Sequence, residues 1–193
     1  MKIKNGLTGL VALAGLALGG GLAHAAPNAE MLSFACAGCH GTNGGSAGPT
    51  MPTLASQSKT AIVDAMKKFK SGERPSSIMG RLAKGYSDDE INAMGDFFSK
   101  QKFHATAQAV DAAKVKKGSD LQDANCSRCH LDDGKDGKDD TPVMASQWLP
   151  YLKIQMELYN SGKRKIPEKM AEKWKPLSAQ DQEALLHFYA SVK

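Results

Sequence analysis

The chain is short of aromatic residues, of histidine and of cysteine, and it has no stretch in which polar and apolar residues alternate. Aromatics make up 6% of the 193 residues, few for filling two ordinary cores. The missing alternation argues against half-buried strands and leaves an all-α reading. Long hydrophobic runs are also lacking, with one exception. Residues 7–22 are uncharged and apolar, preceded by Lys2 and Lys4 and followed by Ala23-His24-Ala25. That run is shorter than the ~20 residues needed to cross a bilayer. Its flanks match a secretory signal peptide over residues 1–25, removed near Ala26. Export to the periplasm is expected, with no membrane span in the mature chain. Removing Lys2 and Lys4 leaves 23 basic against 20 acidic residues, too even a balance for nucleic-acid binding.

The four cysteines fall in one five-residue pattern that occurs twice. Cys36-Ala37-Gly38-Cys39-His40 returns as Cys126-Ser127-Arg128-Cys129-His130, 90 positions later. Cys-x-x-Cys-His is the attachment signature of c-type haem. Two thiols one helical turn apart can add to the two vinyl groups of one porphyrin, and the adjacent histidine then reaches the iron. A redox dithiol would not require His after both copies, and a zinc site would not hold its cysteine pairs 90 residues apart. Two covalently bound haem c groups are therefore expected. Cys36, Cys39, Cys126 and Cys129 form the thioethers, and His40 and His130 are the proximal iron ligands. Each haem adds a large apolar disc, which offsets the shortage of aromatics. Its propionates bring the holoprotein close to neutral.

The repeat extends beyond the motifs. Pro52 matches Pro142, Ala55-Ser56-Gln57 matches Ala145-Ser146-Gln147, and Gly72 and Arg74 match Gly162 and Arg164. One inserted residue later, Ser87 matches Ser178, Met94 matches Leu185, and Phe97-Phe98 matches Phe188-Tyr189. Two domains produced by internal duplication are expected at 26–102 and 106–193. They are joined by a short stretch, 100–106, without Gly or Pro, which should keep them close.

Each half reads as three helical pieces. The first runs from an Asn28 cap through Met31, Leu32 and Phe34. Its counterpart spans about 107–125 and is expected to break near Gly118. The second carries Ile62, Met66 and Phe69 at i, i+4, i+7, repeated by Leu152, Met156 and Tyr159, and ends at Gly72 or Gly162. The third opens on Ser87-Asp88-Asp89-Glu90, a capping box, with a weaker version at Ser178–Asp181. The Asp- and Lys-rich stretch 131–142 lacks an EF-hand pattern, having Gly134 and Val143 where calcium ligands belong. It reads as a solvated, mobile loop.

The distal iron ligand has to be His, Met or an open position. His104 and His187 are not repeat-equivalent, so they cannot build two matching sites. Met66, Met156 and Met94 sit on packed helix faces, where methionine is core filler. Met51 has no partner at 141. Met79 and Met170 remain, each about 40 residues after its histidine, between the second and third helices, where a loop could bring sulfur over the haem. His/Met ligation fills all six iron positions, which favours electron transfer over haem-based catalysis such as a peroxidase.

These residues carry a family resemblance over essentially the whole mature chain. Each half resembles a class I cytochrome c domain. The tandem resembles dihaem cytochromes of the cytochrome c4 type, and most nearly the cytochrome subunits of flavocytochrome c sulfide dehydrogenases. The stretches concerned are Glu30-Met31-Leu32, Cys36 to Gly41, Phe69 to Glu73, Ile78 to Ser87, Gln147 to Tyr151, Glu168 to Ala171 and Phe188 to Ser191. The resemblance implies Met79 and Met170 as distal ligands. It also implies a flavoprotein partner that carries FAD and oxidises sulfide, and a soluble cytochrome as a further redox partner. This chain would then be an electron-transfer subunit, not catalytic on its own. A free dihaem carrier serving a terminal oxidase or reductase is the alternative. Trp148 and Trp174 read as packing residues or as part of an electron path, and Lys163-Arg164-Lys165 as a solvated helix end or a patch for an acidic partner.

Overall fold

The computed structural model describes residues 28–193, so the expected signal peptide lies outside the described residues. Among them there are nine α-helices and no strand. In the first half these are α1 (Ala29–Phe34), α2 (Ala37–His40), α3 (Lys59–Ser71), α4 (Met79–Leu82) and α5 (Asp88–Ser99). In the second they are α6 (Ala112–Asn125), α7 (Leu149–Asn160), α8 (Glu168–Trp174) and α9 (Ala179–Ser191).

Local sequence sets most of the helix ends. The Asn28 side chain accepts from the Glu30 and Met31 amides, capping α1. Both capping boxes form, Ser87 with Glu90 and Ser178 with Asp181. Gly72 and Gly162 take left-handed conformations, at φ of 84° and 70°, that stop α3 and α7. The helix before the second motif departs from expectation at both points. It starts at Ala112 rather than near 107, because Asp111 caps it by accepting from the Ala113 and Lys114 amides. It also runs unbroken through Gly118. That glycine is a contact point: a Cβ there would press into the Ala184 carbonyl and lie 2.6 Å from Phe188 Cβ on α9.

Each half has its own core. Ile62, Met66, Ile91, Met94 and Phe98 are buried together in the first, and Leu152, Leu185, Leu186, Phe188 and Tyr189 in the second. The repeat holds down to single backbone bonds. The Leu54 and Ala55 amides donate to the Gly44 carbonyl as those of Met144 and Ala145 donate to Gly134. The Ser56 amide donates to Phe98 as that of Ser146 donates to Tyr189.

The halves meet through two buried glutamines. Gln57 Nε2 donates to the Val143 carbonyl at 2.8 Å, and its Oε1 accepts from the Val143 amide at 2.9 Å. Gln147 treats Thr53 in the same way, at 2.9 and 3.0 Å. Thr53 and Val143 are repeat equivalents, so the contact is reciprocal, as across a two-fold axis. Trp148 Nε1 adds a bond to the Ser46 carbonyl at 2.9 Å, and the Tyr151 amide one to Pro49 at 3.1 Å. The charged stretch 131–142 is not free in solvent along its length. Ser58 Oγ donates to the Asp139 carbonyl, and Gly137 lies against Ser58. The joining segment is also tied down. The Thr106 amide donates to Ser146 Oγ, and Gln108 bonds to Gln147, Ala190 and Leu149.

Two substitutions test this account. Gln147→Leu should leave the buried Thr53 amide and carbonyl unsatisfied and cost about 2–6 kcal/mol, at ~1–3 kcal/mol per group. Gly118→Ala should cost about 1–3 kcal/mol by overpacking α6 against α9. Urea denaturation measures both, and a midpoint unchanged in either variant would contradict the contact it removes.

Candidate haem centres

In the first half the motif follows α1 directly and closes into the short helix α2, with Cys36 half-buried and Cys39 exposed. His40 is buried, and its Nδ1 donates to the Pro52 carbonyl at 2.8 Å. That bond fixes the tautomer and leaves Nε2 with its lone pair. Burial holds the imidazole below the usual histidine range, opposed in part by the Pro52 bond, so the ring stays neutral at pH 7. Burial also pushes the Cys36 thiol up, helped by nearby Cys39.

In the second half Cys126 is half-buried and Cys129 exposed. Residues 126–129 form a turn instead of a helix. The His130 carbonyl accepts from Gln122 Nε2 at 2.8 Å. The His130 ring lies edge-on to Tyr189, with centroids 6.1 Å apart, and its Nδ1 is buried with no partner. Burial alone lowers this histidine's pKa. All four thiols are free, and among the described residues no three His, Cys, Asp or Glu side chains gather as a metal site. Each motif thus presents two free thiols and one neutral histidine, a donor set suited to a haem with a further ligand from elsewhere.

The methionines are not in open loops as expected. Met79 is the first residue of α4, and Met170 the third of α8. One-turn and two-turn helices have formed in the segment between the longer ones. Met79 is half-buried and packs on the same core cluster as Cys36. Met170 is half-buried, but the part of α8 that joins the second core, alongside Cys126, is Trp174. Ile78 and Leu82 flank Met79 and are about half exposed (48% and 51%), as are Phe34 (58%) and Leu131 (41%) beside the motifs. Apolar side chains exposed around each motif are what a large apolar disc would cover, so the residues present fit a haem.

The other histidines are committed elsewhere. His104 packs its ring on Gly45. The His187 Nδ1 accepts from the Asp111 amide at 3.0 Å, so its proton sits on Nε2 and the ring props the start of α6. Trp174 donates to Asn160 Oδ1, so both tryptophans act as hydrogen-bond donors in packing.

Sequence reasoning missed an arginine pair. Arg74 and Arg164 stack over Phe69 and Tyr159, each 4.6 Å from the ring centroid. Both donate to one residue, Gln155, which joins them between the halves. Arg164 therefore turns inward from the Lys163-Arg164-Lys165 run. Burial and the nearby Arg74 charge lower its pKa. Lysines make all the ion pairs among the described residues, apart from an approach of neutral His187 to Glu183 at 3.8 Å, and no arginine makes one. The matching Gly-x-Arg turns carried the signal for this pair; their closeness was not legible without the fold.

An all-α chain with two copies of this centre, one in each half, defines a dihaem class I cytochrome c fold. Residues 27–107 match the family model of cytochrome c. The structure superposes on cytochrome c4 from Pseudomonas stutzeri with a TM-score of 0.76 at 24% identity, covering 88% of this chain and 99% of that one. It also superposes on the thiosulfate dehydrogenase of Marichromatium purpuratum, with a TM-score of 0.72 at 25% identity. That match covers 82% of this chain but 36% of the other. In sequence, the chain is 40% identical over 69 residues to the cytochrome subunit of sulfide dehydrogenase from Chlorobaculum tepidum. The matched stretch is 36% of this chain and 62% of that relative. Residues 27–107 thus carry a cytochrome c domain, a kind of domain that binds haem c covalently, and the whole chain shares the fold of the two-domain cytochromes it superposes on.

His187 makes a pH test available. Burial, then Lys114 and Lys153, hold its pKa below the usual value against the pull of Glu183 and Asp111. Below about pH 6.5 the unfolded chain takes up a proton that the folded chain resists, so stability falls with falling pH. Glu183, held down to about 2 by Lys114 and Lys153, contributes only in a lower window. Between about pH 7.5 and 5.5 the urea midpoint should drop less in His187→Gln than in the parent. Equal drops would contradict the role given to Nδ1.

Proposed function

We propose that this chain is the haem subunit of a flavocytochrome c sulfide dehydrogenase, taking electrons from a flavoprotein that oxidises sulfide. The observation that carries the reading is the duplicated Cys-x-x-Cys-His centre, together with the similarity to a sulfide dehydrogenase cytochrome subunit. In this reading the protein is exported to the periplasm, loses residues 1–25 and folds as domains 26–102 and 106–193. FAD resides on the partner, and a soluble cytochrome takes the electrons onward. Among the described residues no helix is long and apolar enough to cross a membrane.

Cys36 and Cys39 hold one haem c, and Cys126 and Cys129 the other. His40 and His130 are the proximal ligands, Met79 and Met170 the distal ones. A His/Met-ligated iron passes single electrons at a raised potential and leaves no open position for substrate. The chain's own groups do the rest. The Pro52 carbonyl orients the His40 ring, and the two cores keep water from the buried side of each motif. Arg74 and Arg164 place two positive charges between the halves, which would suit anionic groups of a bound cofactor. Sulfide oxidation to sulfur releases two electrons. A flavin accepts both, and two one-electron centres on one chain can receive them in turn.

Met79→Ala and Met170→Ala should each keep both haems by pyridine haemochrome. Each should lose about half of the weak long-wavelength methionine band and gain one carbon monoxide site when reduced. A variant with an unchanged band removes that methionine from the ligand set. Purification from the native host decides on the partner. A co-eluting flavoprotein with sulfide-dependent haem reduction is expected, whereas a haem protein recovered alone favours a free dihaem carrier.

A further inference from the structure

The helix that carries the second methionine is held differently from its counterpart. Met170 and Trp174 stand at i and i+4 in α8, on one face of the helix. Met79 and Ala83 have the same spacing in the first half. In the repeat, Trp174 stands where the first half has Ala83, Gln182 where it has Ile91, and Asn160 where it has Lys70. Ala83 and Ile91 are fully buried in the first core, and Met79 packs on that core directly. Apolar packing therefore seats the first methionine. In the second half it is Trp174 that joins α8 to the core, and a ring of hydrogen bonds from three helices holds Trp174. Gln182, buried on α9, donates from Nε2 to the Trp174 carbonyl at 3.2 Å and to the Leu177 carbonyl at 3.4 Å. Its Oε1 accepts from Nδ2 of Asn160, the last residue of α7, at 2.8 Å. Asn160 Oδ1 in turn accepts from Trp174 Nε1 at 3.0 Å, which closes the ring. Lys70 has no such part in the first half; it donates to the Tyr86 carbonyl and pairs with Asp88.

We propose that Gln182 and Asn160 are positioning residues for Met170, which through Trp174 hold α8 against the core shared by Cys126 and so keep the second-half iron closed to outside ligands. The inference deepens the function proposed above and rests on Met170 being a distal ligand. A helix of seven residues does not hold itself together in water, so its place depends on what it is tied to. Met170 lies one turn from Trp174, and a slip of α8 that frees the indole moves the thioether with it. Met79, seated by packing, is indifferent to these residues. A closed iron binds carbon monoxide only in the fraction of molecules whose distal ligand is off, so the apparent affinity for the gas reads that fraction. Loss of one neutral hydrogen bond changes such an equilibrium about fivefold.

The experiment uses the reduced holoprotein, with the bound-methionine signals of the two centres resolved by proton NMR and carbon monoxide as the probe. Met170→Ala assigns the second-half signals as those it removes. Trp174→Phe keeps an aromatic ring and loses the N–H, and Asn160→Ala changes an exposed site. Each should shift or broaden the second-half signals alone and raise the apparent carbon monoxide affinity of one haem about fivefold. Gln182→Ile, the residue the first half already uses, should act more strongly, since it removes three bonds at once. Gln147→Leu costs the fold stability at the contact between the halves without touching the ring, and should leave the second-half signals where they are. Equal effects of Gln147→Leu and Trp174→Phe on those signals would reduce the ring to general stability and overturn the proposal. So would second-half signals and gas affinity that neither Trp174→Phe nor Asn160→Ala moves; Met170 then remains a ligand and the function proposed above stands. If Met170→Ala itself removes no signal, the ligand set proposed above fails, and this inference with it.

Discussion

The structure depends on a contact made by two glutamines. Gln57 and Gln147 each bind the backbone amide and carbonyl of the residue that is the other's repeat-equivalent target. A primary amide can donate and accept side by side, so one side chain satisfies both polar groups of a buried residue. Leaving those groups bare in an interface would cost more than the bonds return in water. The contact is therefore selective: it stabilises one relative placement of the halves and penalises others. The short joining segment alone could not do this. Trp148, Tyr151 and Ser58 add contacts around the clamp, and it places Arg74 and Arg164 within reach of one glutamine.

That placement bears on the chemistry proposed. Two one-electron centres exchange electrons usefully only if their separation is fixed. A clamp of buried hydrogen bonds fixes it without relying on a large apolar interface. The apolar surface is instead kept within each half. Side chains such as Phe34, Ile78, Leu82 and Leu131 remain exposed around the motifs, and under the proposed function a covalent haem would extend each small core at that point. A chain with so few aromatics could then make two domains because part of each core would not be amino acid.

Much was legible in the sequence. The all-α class, the repeat, both capping boxes, the core positions Ile62, Met66 and Leu152 and the helix-ending glycines follow from periodicity and local chemistry. These are short-range effects that the chain expresses wherever it goes. Departures occurred where a distant residue intervened. Gly118 looked like a helix break because glycine is costly in a helix, but α9 needs its bare surface. Residue 107 looked helical, but the helix begins at the Asp111 cap, where His187 from α9 also binds. The charged stretch 131–142 looked solvated, yet its backbone meets Ser58. Met79 and Met170 fell in the expected segment, but on short helices.

The sequence by itself determined what each candidate centre is made of, because its two thiols and the adjacent histidine are neighbours along the chain. It also determined that there are two centres, because the motif is written twice. Tertiary structure decided how the two differ. Leu32 against Gln122 and Phe98 against Tyr189 are minor exchanges in an alignment of the halves. Only when α6 lies on α9 do Gln122 and Tyr189 meet and hold the His130 carbonyl. The physical reason is that a hydrogen bond depends on distances of a few tenths of an ångström, and these are fixed by packing between segments far apart in the chain.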